Sequence, residues 1–315
     1  RGAGERPMKR LAVAFLWALG ASLPAAAAPP LSTGAGPAEA VHAPSDVLRV
    51  CADPDNLPYS RADGSGFENR IARVLAIDLG VDLQFAWLPD RRGFVRKTMG
   101  AGDCDVMIGV PVGFERVAAT HPYYRSSYAW VQRADAGAPP AGFDDPRLAG
   151  LRIGVQLIGD DQATSPPGFA LARHAPRAQV VGFPIPGEQP AAPRIVDAVA
   201  AGQLDAGVVW GPQAGYFVKK SPVPLVLTPL ATEVDTATGY PMSYNIGMAV
   251  RRRDHEFRDS LQTLLDRKHS EILGILKEYG VPAFPVKEEK GEKGDDDDGP
   301  KTSAPPSDST RASKQ

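Results

Sequence analysis

From Asp46 to Arg133, short apolar runs alternate with one-sided stretches of helical period. "VLRVCAD" reads as a buried strand, "GFENRIARVLAIDLG" as a helix with Phe67, Ile71, Val74 or Leu75, and Leu79 on one face, and "VDLQFAW" as a second strand. Together they predict a βαβ unit. A short helix over "RRGFVRKTMGAG", a strand "CDVMIGV" and a longer strand through "YYRSSYAWV" follow. The turn-rich stretch "RADAGAPPAGFDDPRLAG" then breaks the pattern, and a second series begins. Its strands are "LRIGVQ", "AQVVGF" and "LDAGVVW", and its helices "GFALARHA", "PRIVDAVAAG" and "GPQAGYFVKK". A last strand, "SYNIGMAVRR", precedes a helix over 254–280 with Phe257, Leu261, Leu264, Ile272, Leu276 and Tyr279 at helical spacing. A chain that leaves one α/β lobe, builds another and returns makes two crossovers, and ligands bind between such lobes.

The ends of the chain depart from this alternation. Met8-Lys9-Arg10, the apolar run "LAVAFLWALG" and the small-residue stretch "ASLPAAAA" follow the order of a secretory signal, with cleavage expected among Ala25 to Ala28. That run is about half of the roughly 20 residues a membrane span needs. Residues 1–28 are therefore upstream residues and signal peptide, and the mature protein is expected in the periplasm without a span. Residues 29–45, rich in Ala, Pro, Gly and Ser, read as a linker, and 285–315 as a disordered acidic and polar tail.

Composition narrows the function classes. Of 315 residues, 43% are hydrophobic, enough for two lobes. The formal charge of −2 offers no electrostatic footprint for nucleic acid. The two cysteines, Cys51 and Cys104, lie in neighbouring strand-like runs and are expected either as a disulfide, which an oxidising compartment favours, or as two buried thiols. No zinc motif, GxSxG or HExxH occurs, and the histidines are scattered, so neither a catalytic nucleophile nor a resident cofactor is expected.

Five blocks in order, "CADPDNLPYS", "GFENRIA", "RRGFVRKTMGAGDCDVMIGVP", "PYYRSSYAWV" and "VVWGPQAGYF", resemble the type 2 periplasmic solute-binding proteins, and among them the quinoprotein-dehydrogenase-associated branch, the MxaJ/XoxJ group. The resemblance covers about residues 46–283. It implies an α/β fold of two lobes with mostly parallel sheets, lobe 1 from 46–131 plus 247–284 and lobe 2 from 132–246, joined by two crossover strands. It also implies a setting beside a periplasmic PQQ-dependent methanol or related alcohol dehydrogenase and its cytochrome c system.

Set on the motif of the amino-acid-binding relatives, Arg116 takes the place of the arginine that grips a ligand carboxylate, although it can equally be a structural arginine. Pro111 and Gly113 stand where those relatives carry hydroxyls. Trp210 stands where they carry an aspartate for the ligand ammonium, and it either lines the cleft or packs a core. The loop after the first strand brings Asp53, Asp55, Asn56 and Tyr59 to the carboxyl end of a sheet, where α/β folds present ligands. Its oxygen-rich Asp-x-Asp-Asn suggests calcium or a lanthanide, but Pro58 and Gly64 occupy the positions where an EF-hand needs Gly and Glu, and no metal site is assigned. In lobe 2, Gln156 ends a strand, and Asp160 and Asp161 would repel an anion at a following helix start, which suits a cationic partner. Tyr123 and Arg125, in "PYYRSSYAW", are of types enriched at protein interfaces, or simply alternate in and out along the strand. The expected function is that of a non-catalytic accessory protein that holds the dehydrogenase or a peptide segment of it in the cleft. The alternatives are an ABC-transporter receptor for a small organic solute and a PQQ carrier.

Overall fold

The structure, a computed structural model, describes residues 45–158, 163–185 and 190–286. The signal segment, nearly all of the linker, Asp160 and Asp161, and all but the first two residues of the tail lie outside the described residues.

The first half runs β1 (Val47–Ala52), a small hairpin β2 (Asp55–Asn56) and β3 (Ser60–Arg61), α1 (Phe67–Leu79), β4 (Asp82–Trp87), α2 (Phe94–Lys97), β5 (Val106–Pro111), β6 (Ala118–Ala119) and β7 (Tyr124–Arg133). The second runs β8 (Arg152–Ile158), β9 (Ala163–Thr164), α3 (Pro166–His174), β10 (Gln179–Pro184), α4 (Ala191–Ala200), β11 (Ala206–Trp210), α5 (Gly211–Lys220) and β12 (Leu225–Pro229). The chain returns through β13 (Ser243–Val250) and ends on α6 (His255–Glu278). The strand order is β10-β8-β11-β7-β13-β5-β1-β4. Parallel ladders join β1 to β4 and β5, and β8 to β10 and β11. Strands covered by helices on both faces must be apolar throughout, which is why β1 and β5 read as continuous hydrophobic runs.

β7 and β13 are the antiparallel centre. Tyr124–Ser127 pair with Ser243–Ile246. From Tyr128 onward β7 pairs instead with β11 on one side and β12 on the other, so the change of half-sheet falls between Ser127 and Tyr128. The first core gathers Leu48, Val106, Met248, Ile71, Leu75, Leu264 and Leu276 between the β1/β5/β13 sheet and the apolar faces of α1 and α6. In the second half the strand period of two splits the core. Trp130 and Val208 meet Ile153 and Leu171 on one face, while Val131 and Val209 meet Ile195 and Val199 on the other. Each fully buried Leu, Ile or Val contributes roughly 1.5–3 kcal/mol.

Both halves use the same clamp at the opposite end of the sheet from the cleft. Arg49 donates its backbone N–H, Nε and Nη2 to the Asp105 carboxylate and Nη1 to the Gly102 carbonyl. Arg152 repeats the pattern on Asp205 and Gly202. The sequence carries the echo as "LRV" with "AGDCD" and "LRI" with "AGQLD". The copies differ in setting: Asp105 has 0% of its side chain exposed and takes a further bond from Arg251 at 3.0 Å, whereas Asp205 is 36% exposed. Beside the first clamp Cys51 and Cys104 form a disulfide with Cα atoms 5.3 Å apart, within a small core of Phe94, Met99, Val110, Val117 and Ala249.

α5 also touches the first half. A Cβ on Gly215 would lie 1.9 Å from the Gly280 carbonyl oxygen, so only glycine permits this approach. Tyr216 stacks on Tyr279 at 5.8 Å and 16°, and Lys219 Nζ donates to the Glu278 carbonyl at 2.7 Å.

Candidate functional site

A cavity of about 1210 Å³ opens between the half-sheets at the carboxyl ends of β1, β5, β8 and β11. That position is where α/β sheets bind ligands, and the volume exceeds the roughly 300–1,000 Å³ of ordinary small-molecule sites. Its lower wall comes from the loop after β1, the first turn of α1, β5 and the loop after β4; its back from β7 and β13; its upper wall from β8, β11 and α5.

The upper and back walls are aromatic. Trp210 closes β11 and begins α5, and Gln156, itself buried, holds it there: Gln156 Oε1 accepts the Trp210 backbone N–H at 3.1 Å, while its Nε2 donates to Gln213 Oε1 at 2.9 Å. The indole meets Tyr128 edge-on at 5.4 Å and 70°, and Tyr244 at 5.6 Å and 73°. Tyr59 faces Trp210 from the opposite wall, and burial pushes its phenol well above the ordinary range, with the neighbouring Tyr124 and Glu68 adding to the shift. Burial likewise raises Tyr124 and Tyr128, so these phenols are neutral hydrogen-bonding groups across the physiological range.

The floor is acidic. Glu68, in the first turn of α1, lays its carboxyl over Gly109; a Cβ there would sit 2.1 Å from Oε1. Gly109 also has φ +79°, so that position is closed to other residues by both conformation and space. Among the described residues the Glu68 carboxyl has no hydrogen-bond or ion-pair partner. Enclosure pushes it well above the usual carboxylate range, and the charge of Asp90 pushes the same way. Asp53 holds the rim together, accepting from the Asp55 N–H at 2.8 Å and the Asp90 N–H at 2.6 Å. Four carboxylates, on Asp53, Asp55, Glu68 and Asp90, therefore meet two guanidiniums, on Arg91 and Arg92, both exposed at the mouth. Among the described residues no group of three or more His, Cys, Asp or Glu side chains could hold a metal ion.

Of the residues singled out in the sequence, Asp53, Asp55, Asn56, Tyr59, Gln156 and Trp210 line this cavity. Arg116, Tyr123 and Arg125 do not. Arg116 is exposed in the turn beyond β5, a turn that includes Gly113 at φ +92°, and it is not among the residues that line the cavity. Tyr123 is buried in the first core, its ring 5.0 Å from Tyr124. Arg125 faces away from Tyr124 and Tyr128, because neighbours on a strand alternate. Its Nη2 donates to Ser243 Oγ at 2.7 Å and pairs with Glu233 at 2.9 Å, while its backbone bonds to Phe284. Glu68, Asp90, Tyr124, Tyr128 and Tyr244 are among the lining residues that sequence reasoning passed over. For the two β7 tyrosines the signal was present, since a spacing of four puts both on one strand face. Glu68 offered none, because an acid in a helix's first turn ordinarily answers the helix dipole.

No family model matches the chain. "Protein MoxJ" of Methylorubrum extorquens strain AM1 is 34% identical over 270 residues, covering 79% of this chain and 85% of that protein. The crystal structure of periplasmic binding protein XoxJ from Methylobacterium extorquens AM1 superposes with a TM-score of 0.63 at 34% identity, over 76% of this chain and 100% of that one. That of MxaJ from Methlophaga aminisulfidivorans MPT gives 0.65 at 28%, over 75% and 100%. With its half-sheets, crossover strands and interposed cleft, and with this likeness over most of its length, the chain belongs to the MoxJ/MxaJ/XoxJ family of periplasmic binding proteins.

Proposed function

We propose that the protein is a non-catalytic periplasmic accessory of a PQQ-dependent methanol or related alcohol dehydrogenase, binding that enzyme or a segment of it in the cleft and so assisting its maturation or activity. The observation that carries this reading is the chemistry of the cleft. An amino-acid receptor needs a cation for the ligand carboxylate, and Arg116 stands outside the cavity. What remains is a wide, aromatic and acidic opening with Ile158 and Ile185 exposed at its upper edge. Such an opening suits a polypeptide better than a small anion. PQQ, with its carboxylates, would meet the same four acids, which weighs against a carrier of that cofactor. Family membership and the signal-like N-terminal segment support the periplasmic setting.

The test is co-purification and crosslinking with the dehydrogenase from a strain expressing both, together with a deletion strain. Capture of the enzyme and a fall in its activity or assembly on deletion are expected; unchanged activity and assembly would remove the accessory role. The position of the cavity between two half-sheets keeps the solute-receptor reading as the second. A thermal-shift screen of common metabolites separates the two, because a ligand at 100 times its Kd adds about 2.7 kcal/mol of stability.

A further inference from the structure

The cleft holds polar groups that pair with no side chain among the described residues. Tyr124 and Tyr128 are 1% and 7% exposed, line the cavity, and make no side-chain hydrogen bond among the described residues. The Glu68 carboxyl is equally without a partner. None of the three is among the fully buried atoms that lack a partner, so these groups open to the cavity, where a guest can pair with them. The rings of Tyr59, Tyr128, Trp210 and Tyr244 line the same cavity as that carboxyl, and a ring face presented to an organic cation attracts it. Among the described lining residues the guanidiniums are Arg91 and Arg92, both exposed, so a guest bearing its own carboxylate finds no enclosed cation among them.

We propose that the cleft receives a carboxylate-free organic cation, the ammonium-tipped side chain of a lysine on an inserted polypeptide segment, with Glu68 as its counter-charge and the four rings as its walls. This rests on the reading of the cleft as a polypeptide site. The cavity's size favours a segment over a free amine, because a lone alkylammonium would leave most of it unfilled. Burial and the charge of Asp90 push the Glu68 carboxyl up, and an entering ammonium pulls it back down; any proton the carboxyl holds leaves to solvent as the ion pair forms. The groups facing Glu68 are Asp90 from the loop after β4, Tyr59 from the loop after β1, Tyr123 and Tyr124 at the start of β7, and the Gly109 backbone of β5. None of these described groups is a cation; the described guanidiniums of the cavity, on Arg91 and Arg92, are exposed. Because the ion pair needs the ionised carboxyl, affinity rises as pH rises through the titration of Glu68.

The test is isothermal titration calorimetry of the full mature chain with three blocked pentapeptides, acetyl-Gly-Gly-X-Gly-Gly-amide with X lysine, norleucine or glutamate, and with n-butylammonium. Lysine is expected to bind at least about tenfold more tightly than norleucine, and glutamate not at all. Lysine affinity should rise with pH. Glu68→Gln should abolish both the preference and the pH dependence while leaving norleucine unchanged. Should Glu68→Gln fail to fold, Trp210→Phe serves instead and should weaken the lysine peptide several-fold. Equal binding of lysine and norleucine, or a preference untouched by both variants, overturns the proposal; n-butylammonium binding as tightly as the lysine peptide overturns its polypeptide part. Capture of the dehydrogenase by wild-type protein is scored separately. Lysine discrimination without capture leaves the cation site standing and sinks the partner, and capture without discrimination does the reverse.

Discussion

Replacing Asp105 with alanine removes the acceptor of the Arg49 backbone N–H, of Arg49 Nε and Nη2, and of Arg251 Nη2, leaving two guanidiniums face to face. Stripping one partner from a buried ion pair costs about 3–5 kcal/mol. Arg49 and Arg251 keep 39% and 31% of their side chains in water and can rehydrate, so the expected loss is lower, about 2–3 kcal/mol. Asp205→Ala is the matched control, because it breaks the same set of bonds to Arg152 at a partly exposed carboxylate that has no second arginine. Its loss should be clearly smaller. Urea denaturation at pH 7 reads both as a shift in midpoint with unchanged slope. Equal losses, or a larger one for Asp205→Ala, would refute the argument that burial and the second arginine set the cost. The pH dependence follows from the direction of the Asp105 shift. Burial alone would raise its carboxyl, but the bonds from Arg49 and Arg251 outweigh burial and hold it below 3.8. A depressed carboxylate contributes its full stabilisation above the unfolded-state value and loses it as pH falls through the folded one. The gap between wild type and Asp105→Ala should therefore be flat from pH 7 to 5 and close only in more acid solution.

Three further outcomes are expected. His174 bridges Asp144 at 2.8 Å and Asp235 at 2.6 Å; desolvation pulls the imidazole down, but those two bonds prevail and raise it above 6.5, so its contribution is complete below that value and fades as pH rises through the folded one. His174→Gln should accordingly lower the melting temperature more at pH 6 than at pH 8.5, measured by circular dichroism. Replacing Cys51 and Cys104 by serine opens a link spanning 53 residues and should cost about 4 kcal/mol by the chain-entropy relation, read from denaturation midpoints. Gly215→Ala gains about 1 kcal/mol of helix propensity but forces a methyl group onto the Gly280 carbonyl, an overpacking of about 1–3 kcal/mol, so calorimetry should show a lower melting temperature.

The alternation of elements was legible because each half buries a parallel sheet between helices, and that demand writes apolar runs and one-sided helices into the chain. The long terminal helix shows it well: the spaced Phe257, Leu261, Leu264, Ile272 and Leu276 are all buried in α6. Loop direction was not legible. Aligning Arg116 to a motif counts residues, but it does not fix the path of the turn that carries Gly113, and the arginine lies outside the cavity. Nor can a single strand's sequence say which of its two faces meets a cavity that distant segments enclose. Tyr124 and Tyr128 share a face in any reading of β7, yet only the position of β11 and α5 makes that face the cleft's back wall. Glu68 was hidden for a related reason, since its isolation depends on Gly109 and Asp90, far along the chain.

The contact of α5 with the Gly280 turn bears on how anything enters and leaves. Two strands alone would let one half swing about the line through them. A third tie, at a place where not even a methyl group fits, means that such a swing must drag a helix across the 280–282 turn. The aperture is thus tied at three places rather than two, and any change in its width has to be accommodated at that contact of helix and turn.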